Sequence, residues 1–153
     1  MGPFETIRKF QKTYPVKLAA LAKELGIAGI ESADLSDNVS GLIRKENDRY
    51  FVLVNSKHHI NRQRFTVAHE IAHFILHKDD IGDGVADNTL YRSRLSDKIE
   101  AEANKLAAEI LMPASLIRKI IEEAGDNLVV GDIAGKLEVS KSAASIRLGV
   151  PID

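Results

Sequence analysis

The stretch RQRFTVAHEIAHFILHK, residues 62–78, decides the fold. From Thr66 onward Val67, Ile71, Phe74 and Ile75 recur at helical spacing, and Thr66 suits the N-cap position. The pattern predicts a helix over 66–78 with one face buried. That helix carries His69, Glu70 and His73. Positions four apart on an α-helix differ by only ~40° of rotation, so the two imidazoles project from one face and can share one ion. Zinc takes neutral imidazole nitrogens readily, and a reactive site keeps one coordination position for water. Glu70 follows the first of the two histidines, so its carboxylate falls beside that open position, where it can act as a general base.

Two imidazoles leave the site short of a third protein ligand. The sequence contains no cysteine, so the ligand must be His, Asp or Glu. The metzincin pattern requires a histidine at position 79, which is Asp79 here. His77 lies one turn beyond His73 but ~80° around the helix from His69. It is expected behind the ligands, at the rim of the site, or as a surface residue at the helix C-terminus. His58 and His59 fall in the polar segment 56–65, predicted as loop, and read as surface histidines. A second helix over 97–112, capped by Ser96 or Asp97, offers Glu100, Glu102 and Glu109. Glu100 and Asn104 are four apart, so one face presents a carboxylate ligand and an amide able to hydrogen-bond a ligating imidazole. Glu100 is therefore the preferred third ligand, Glu102 its alternative, and Glu109 a solvated residue. Tyr91, Arg92 and Arg94 lie between the two helices, and Tyr91 is the candidate to steady an oxyanion.

Apolar spacing predicts helices over 4–14 and 16–26, with Pro15 in the first turn of the second and Gly26 ending it. Segments 39–46 and 49–55 are rich in β-branched and aromatic residues and flank Asn47-Asp48, so they predict an antiparallel hairpin. Its second strand puts Tyr50, Val52 and Val54 on one face, and it is expected to accept an extended peptide by strand addition. The acidic segment 79–88 reads as a connecting loop, since its spacing does not fit a calcium loop. A helix over 114–124 follows Pro113. The tail offers two short helices, 132–138 and 140–148, with Asp132 and Ser140 as caps and the spacing of a helix-turn-helix. The expected architecture is α+β and mostly helical, with a small antiparallel sheet packed on the HExxH helix. Residues 1–125 form the main domain, and 126–153 form a small C-terminal extension packed on it.

A length of 153 residues fits one domain with a small appendage, and 44% hydrophobic with 28% charged residues is ordinary globular composition. The formal net charge of -1 gives no support to a nucleic-acid surface. Segment 1–30 is locally basic and reads as a solvated face. The tail carries Lys136, Lys141 and Arg147 against Asp126, Asp132, Glu138 and Asp153, too little positive charge for phosphate binding. The extension is accordingly expected to pack or to recognise a partner, without binding DNA. The absence of cysteine excludes disulfides, iron–sulfur clusters and thiol catalysis. No apolar run approaches the ~20 residues of a membrane span. Charges at Glu5, Arg8, Lys9 and Lys12 stand where a signal peptide is apolar, so a cytoplasmic protein is expected. Tryptophan is absent and aromatics make up 5%, which leaves few stacking platforms for bases or sugars.

RQRFTVAHEIAHFILH (62–77) followed by IEAEANKLAAEILMP (99–113) resembles the ImmA/IrrE-type zinc metallopeptidases. That family combines an RFT-like lead-in, the HExxH helix and a second helix of the form E-x-x-A-N-x-F-A-A-x-L-L-M-P. Leu106 and Ile110 replace its usual Phe and Leu and stay apolar. The resemblance is best over 40–113, and the segments 15–27 and 126–150 look like the family's N-terminal helix and C-terminal extension. It implies a gluzincin-like site with one Zn2+, His69, His73 and a glutamate of the second helix as ligands, and Glu70 as base. It also implies a regulatory endopeptidase whose protein substrate is a DNA-binding helix-turn-helix repressor. The alternative is a catalytically silent, zinc-stabilised regulator that binds such a partner without cutting it.

Overall fold

The computed structural model describes residues 1–81, 97–125 and 127–152. Two short helices open the chain, α1 (Pro3–Phe10) and α2 (Leu18–Leu25). Proline suits the first position of α1, where an N–H would have no intrahelical partner. Gly26 ends α2 at φ 107, a left-handed conformation that a Cβ would oppose. Both helices are shorter than expected, and Pro15 stands ahead of the N-cap Lys17 instead of in the first turn.

Three strands follow, β1 (Gly29–Ala33), β2 (Gly41–Glu46) and β3 (Arg49–Asn55), in the order β1-β3-β2. The hairpin β2–β3 is antiparallel, from Gly41 opposite Val54 to Glu46 opposite Arg49. Its turn residues Asn47 and Asp48 have φ of 52 and 62, the paired left-handed conformations of a type I′ turn. The sheet is not purely antiparallel, because β1 runs parallel to β3 from Gly29 opposite Phe51 to Ala33 opposite Asn55. The sequence of β1, GIESA, buries neither face and so lacks the alternation that marks a strand. Its conformation follows from its partner. Central β3 is paired along both edges, which removes it as a strand on which a peptide could be added.

Helix α3 (Ile60–Leu76) begins six residues ahead of Thr66. The Nδ1 of His59 accepts from the backbone N–H of Asn61 at 3.1 Å and caps it. The segment INRQRF is polar but holds no helix breaker, and Arg64 uses its length to donate to the Val16 carbonyl at 2.9 Å. Thr66 is therefore a buried residue inside the helix. A 3-10 turn, Lys78–Asp80, follows. His58 is structural too, with its Nε2 3.4 Å from the Asn55 amide.

Helix α3 lies across β2 and β3 on one side and against α4 (Asp97–Leu111) on another. Ala68, Ile71 and Ala72 of α3, Ala103, Ala107 and Ile110 of α4, and Ile43 and Val52 of the sheet are fully buried. Small residues on both helices permit a close approach of their axes. Helix α5 (Ala114–Ala124) starts after Pro113, and α6 (Val130–Leu137) and α7 (Lys141–Leu148) complete the fold. Ser140 caps α7 as expected, its Oγ accepting from the Ala143 N–H at 3.0 Å. Asp132 lies inside α6, and its carboxylate accepts from the Val129 N–H at 3.3 Å. The Met112 carbonyl accepts from Arg147 Nε at 2.9 Å, and the Val139 carbonyl from the Asn61 amide at 3.3 Å. Leu137, Val139 and Ala144 join the same hydrophobic cluster as α3 and α4. Among the described residues no helix is long and apolar enough to cross a membrane.

Gly41 is where the sheet meets α3. A Cβ there would stand 2.5 Å from the Leu53 carbonyl and 2.5 Å from Thr66 Cγ2. Gly41→Ala is expected to destabilise the chain by about 1–3 kcal/mol, the usual cost of overpacking, read as a lower urea midpoint at constant slope. An unchanged midpoint would show that this junction is loose.

Candidate metal centre

The close α3–α4 packing brings side chains from both helices to one point. His69 Nε2 lies 3.0 Å from Glu100 Oε2, His73 Nε2 lies 3.3 Å from the same oxygen, and the two nitrogens are 3.1 Å apart. These three residues form a group able to hold a metal ion. Ligands ~2.0–2.2 Å from a tetrahedral zinc stand about 3.3–3.5 Å from one another, so the triangle is close to one face of such a site.

Hydrogen bonds behind the triangle fix the direction of its lone pairs. His69 Nδ1 is 2.8 Å from Asn104 Oδ1, an acceptor, so this nitrogen carries the proton and Nε2 presents a lone pair. His77 Nε2 is 3.0 Å from Glu102 Oε1, so it donates there and its Nδ1 accepts. His73 Nδ1, 2.9 Å from His77 Nδ1, is then the donor, and His73 Nε2 also turns its lone pair to the centre. Two imidazole lone pairs and a carboxylate oxygen thus converge. A proton could relieve one such contact, but burial pushes the His73 imidazole from 6.5 down to about 4. Neighbouring His69 adds to that depression and Glu100 opposes it. A cation shared by all three atoms would resolve the repulsion, and the donor set of two imidazoles and one carboxylate suits zinc.

Glu70 is 0% exposed, and it lines a cavity of about 350 Å³ together with His69, Asn104, Thr66, Phe65 and Gly41. The segment 38–40 completes its wall. Buried Asn55 holds that wall, its Nδ2 donating to the carbonyls of Ser36 and Val39 at 3.0 and 2.9 Å.

The structure therefore brings His69, His73 and Glu100 together, with Asn104 behind His69 and His77 behind His73. Glu102 is turned to His77 and away from the triangle. Tyr91, Arg92 and Arg94, with most of the acidic loop, lie outside the described residues. Two features escaped the sequence. One is the place of Glu102 behind His77, since the sequence offered His77 a position behind the ligands but gave Glu102 only as an alternative ligand. The other is Asn55, which resembles any strand-end asparagine.

Residues 22–149 match the IrrE N-terminal-like domain, and the chain belongs to that family. It is 41% identical over 100 residues to the radiation response metalloprotease IrrE of Deinococcus radiodurans, covering 63% of this chain and 30% of that protein. The protein of the same name from Deinococcus deserti is 36% identical over 104 residues, covering 66% of this chain and 36% of that one. The uncharacterized immunity region protein 2 of Bacillus phage phi105 is 25% identical over 107 residues, covering 70% of this chain and 63% of that protein. The chain spans about a third of the length of the two Deinococcus relatives. Its fold is similar to that of a Mycobacterium tuberculosis transcriptional regulator, with a TM-score of 0.62 at 17% identity over 97% of this chain and 46% of that one.

The hydrogen bonds behind the triangle can be tested directly. Asn104→Ala and His77→Ala should each weaken zinc binding by about 10–100-fold, measured by competition with a chelating dye. Affinities equal to wild type would show that the tautomers are set elsewhere. A second expectation concerns the metal-free chain. His73 binds a proton more readily unfolded than folded, so its contribution is complete above pH 6.5 and is lost as pH falls toward about 4. Melting temperature in chelator should drop across that interval more steeply for wild type than for His73→Leu, and parallel curves would contradict it.

Proposed function

We propose that the chain is a zinc-dependent endopeptidase of regulatory type, with His69, His73 and Glu100 as metal ligands and Glu70 as general base. The observation that carries this is the convergence of two imidazole lone pairs and one carboxylate beside a buried glutamate that lines a cavity. Membership of the IrrE N-terminal-like family supports it. A zinc ion at the triangle would polarise a peptide carbonyl and acidify a water at its open side.

The chain's residues account for the rest. Asn104 Oδ1 and the His77–Glu102 pair hold the two imidazoles in the ligating tautomer. Burial keeps His73 neutral at physiological pH. The Glu70 carboxylate takes a proton from the attacking water and delivers it to the leaving amide nitrogen. Its enclosure limits competing bulk water, which strengthens each electrostatic interaction in the cavity. The substrate follows from resemblance: a helix-turn-helix repressor, cut to release transcription. Cytoplasmic location accords with a DNA-bound target.

Glu70→Gln tests the assignment. The variant should keep stoichiometric zinc and its melting temperature while peptide cleavage falls by at least about 10²-fold. Zinc retained with cleavage undiminished would remove Glu70 as the base. A wild-type chain that regulates its partner as well as Glu70→Gln does would act by binding alone.

A further inference from the structure

A larger cavity of about 780 Å³ adjoins the one at Glu70, and the two share Ser40, Phe65, Thr66 and Asn104. Asn104 is the residue that orients His69, so one end of this groove is at the metal triangle. The groove runs between α3, α4 and α7. Phe65, Ala108 and Met112 give it an apolar lining, and Ala143 and Ile146 of α7 line its far side. Ile146 is 83% exposed, a large aliphatic side chain left in water on the groove wall. Single exposed aliphatics are common, but one placed over a concave apolar channel is positioned to meet a ligand. The polar lining is mainly cationic, with Arg62, Lys105 and Arg147 against Glu109. The Arg62 and Arg147 contacts to Ser40 Oγ and the Met112 carbonyl use one nitrogen of each guanidinium.

We propose that this groove seats the protein substrate beyond the scissile bond, and that α7 is its far wall. The inference rests on the peptidase reading above and adds the chemistry of the occupant. The occupant is a segment with an aliphatic side chain packed on Ile146 and Phe65 and an acidic residue facing Lys105 and Arg62. Continuity with the Glu70 cavity favours a substrate chain, because a polypeptide held at the triangle has this channel as its onward path. The helix-turn-helix-like extension thereby becomes a specificity element of the site, consistent with its tail charge being unsuited to DNA.

The test uses selection from a random twelve-residue peptide library on the full chain carrying Glu70→Gln, zinc-loaded, so that binding is read without cleavage. The selected peptides should be enriched in Leu, Ile or Val next to Asp or Glu. Adding Ile146→Asp should cut the aliphatic enrichment by about tenfold, and adding Lys105→Glu should remove or invert the acidic preference. Both side chains are solvent-exposed, and unchanged melting temperatures confirm that the variants fold. No enrichment, or an enrichment that neither variant moves, would overturn the proposal. Self-association in sedimentation velocity that Ile146→Asp abolishes would also overturn it, by showing that the groove receives a second copy. Cleavage by wild type against Glu70→Gln is scored separately, so a failed groove and a failed peptidase give different results.

Discussion

Two imidazole lone pairs and a carboxylate oxygen meet at 3.0–3.3 Å in a largely buried corner of this protein. Such a triangle is repulsive by itself, and a divalent cation shared by the three atoms would make it attractive. Much of the surrounding architecture serves to hold it. Alanines at 68, 72, 103 and 107 let α3 and α4 lie close enough for Glu100 and Asn104 to reach His69. The sheet supports α3 from behind, and Gly41 permits the contact at Thr66.

The polar groups behind the triangle matter as much as the triangle. An imidazole offers a lone pair in a given direction only if its other nitrogen is committed to a donor role. Asn104 commits His69, and the Glu102–His77 pair commits His73. The same helix α4 thus turns Glu100 to the two imidazoles, Asn104 to the far side of His69 and Glu102 to His77. The dense spacing of polar residues in EAEAN reflects those three tasks, while Ala103 between them is fully buried.

The site was largely legible because it is written in helical periodicity. Spacing of four placed His69 and His73 on one face, and the same spacing paired Glu100 with Asn104. The sequence preferred Glu100 to Glu102 by its spacing from Asn104, and the packing of α3 on α4 brings Glu100 to His69 and His73 and Glu102 to His77. The hairpin was legible through its β-branched residues and its Asn-Asp turn. β1 was not, because GIESA takes its conformation from pairing with β3. The start of α3 was missed for a related reason: polar residues at 60–65 look like loop unless the His59 cap is recognised. The proposed substrate class comes from resemblance to the ImmA/IrrE-type peptidases, since no residue spacing supplies it.

The most direct test of the centre is zinc K-edge X-ray absorption on the purified, zinc-loaded chain. One zinc per chain should show two nitrogen scatterers at about 2.0–2.1 Å with imidazole multiple scattering, and oxygen scatterers at about 2.0–2.2 Å. Replacing Glu100 with Ala should alter only the oxygen shell. A chain that takes up no zinc, or zinc whose spectrum lacks the imidazole signature, would contradict the account.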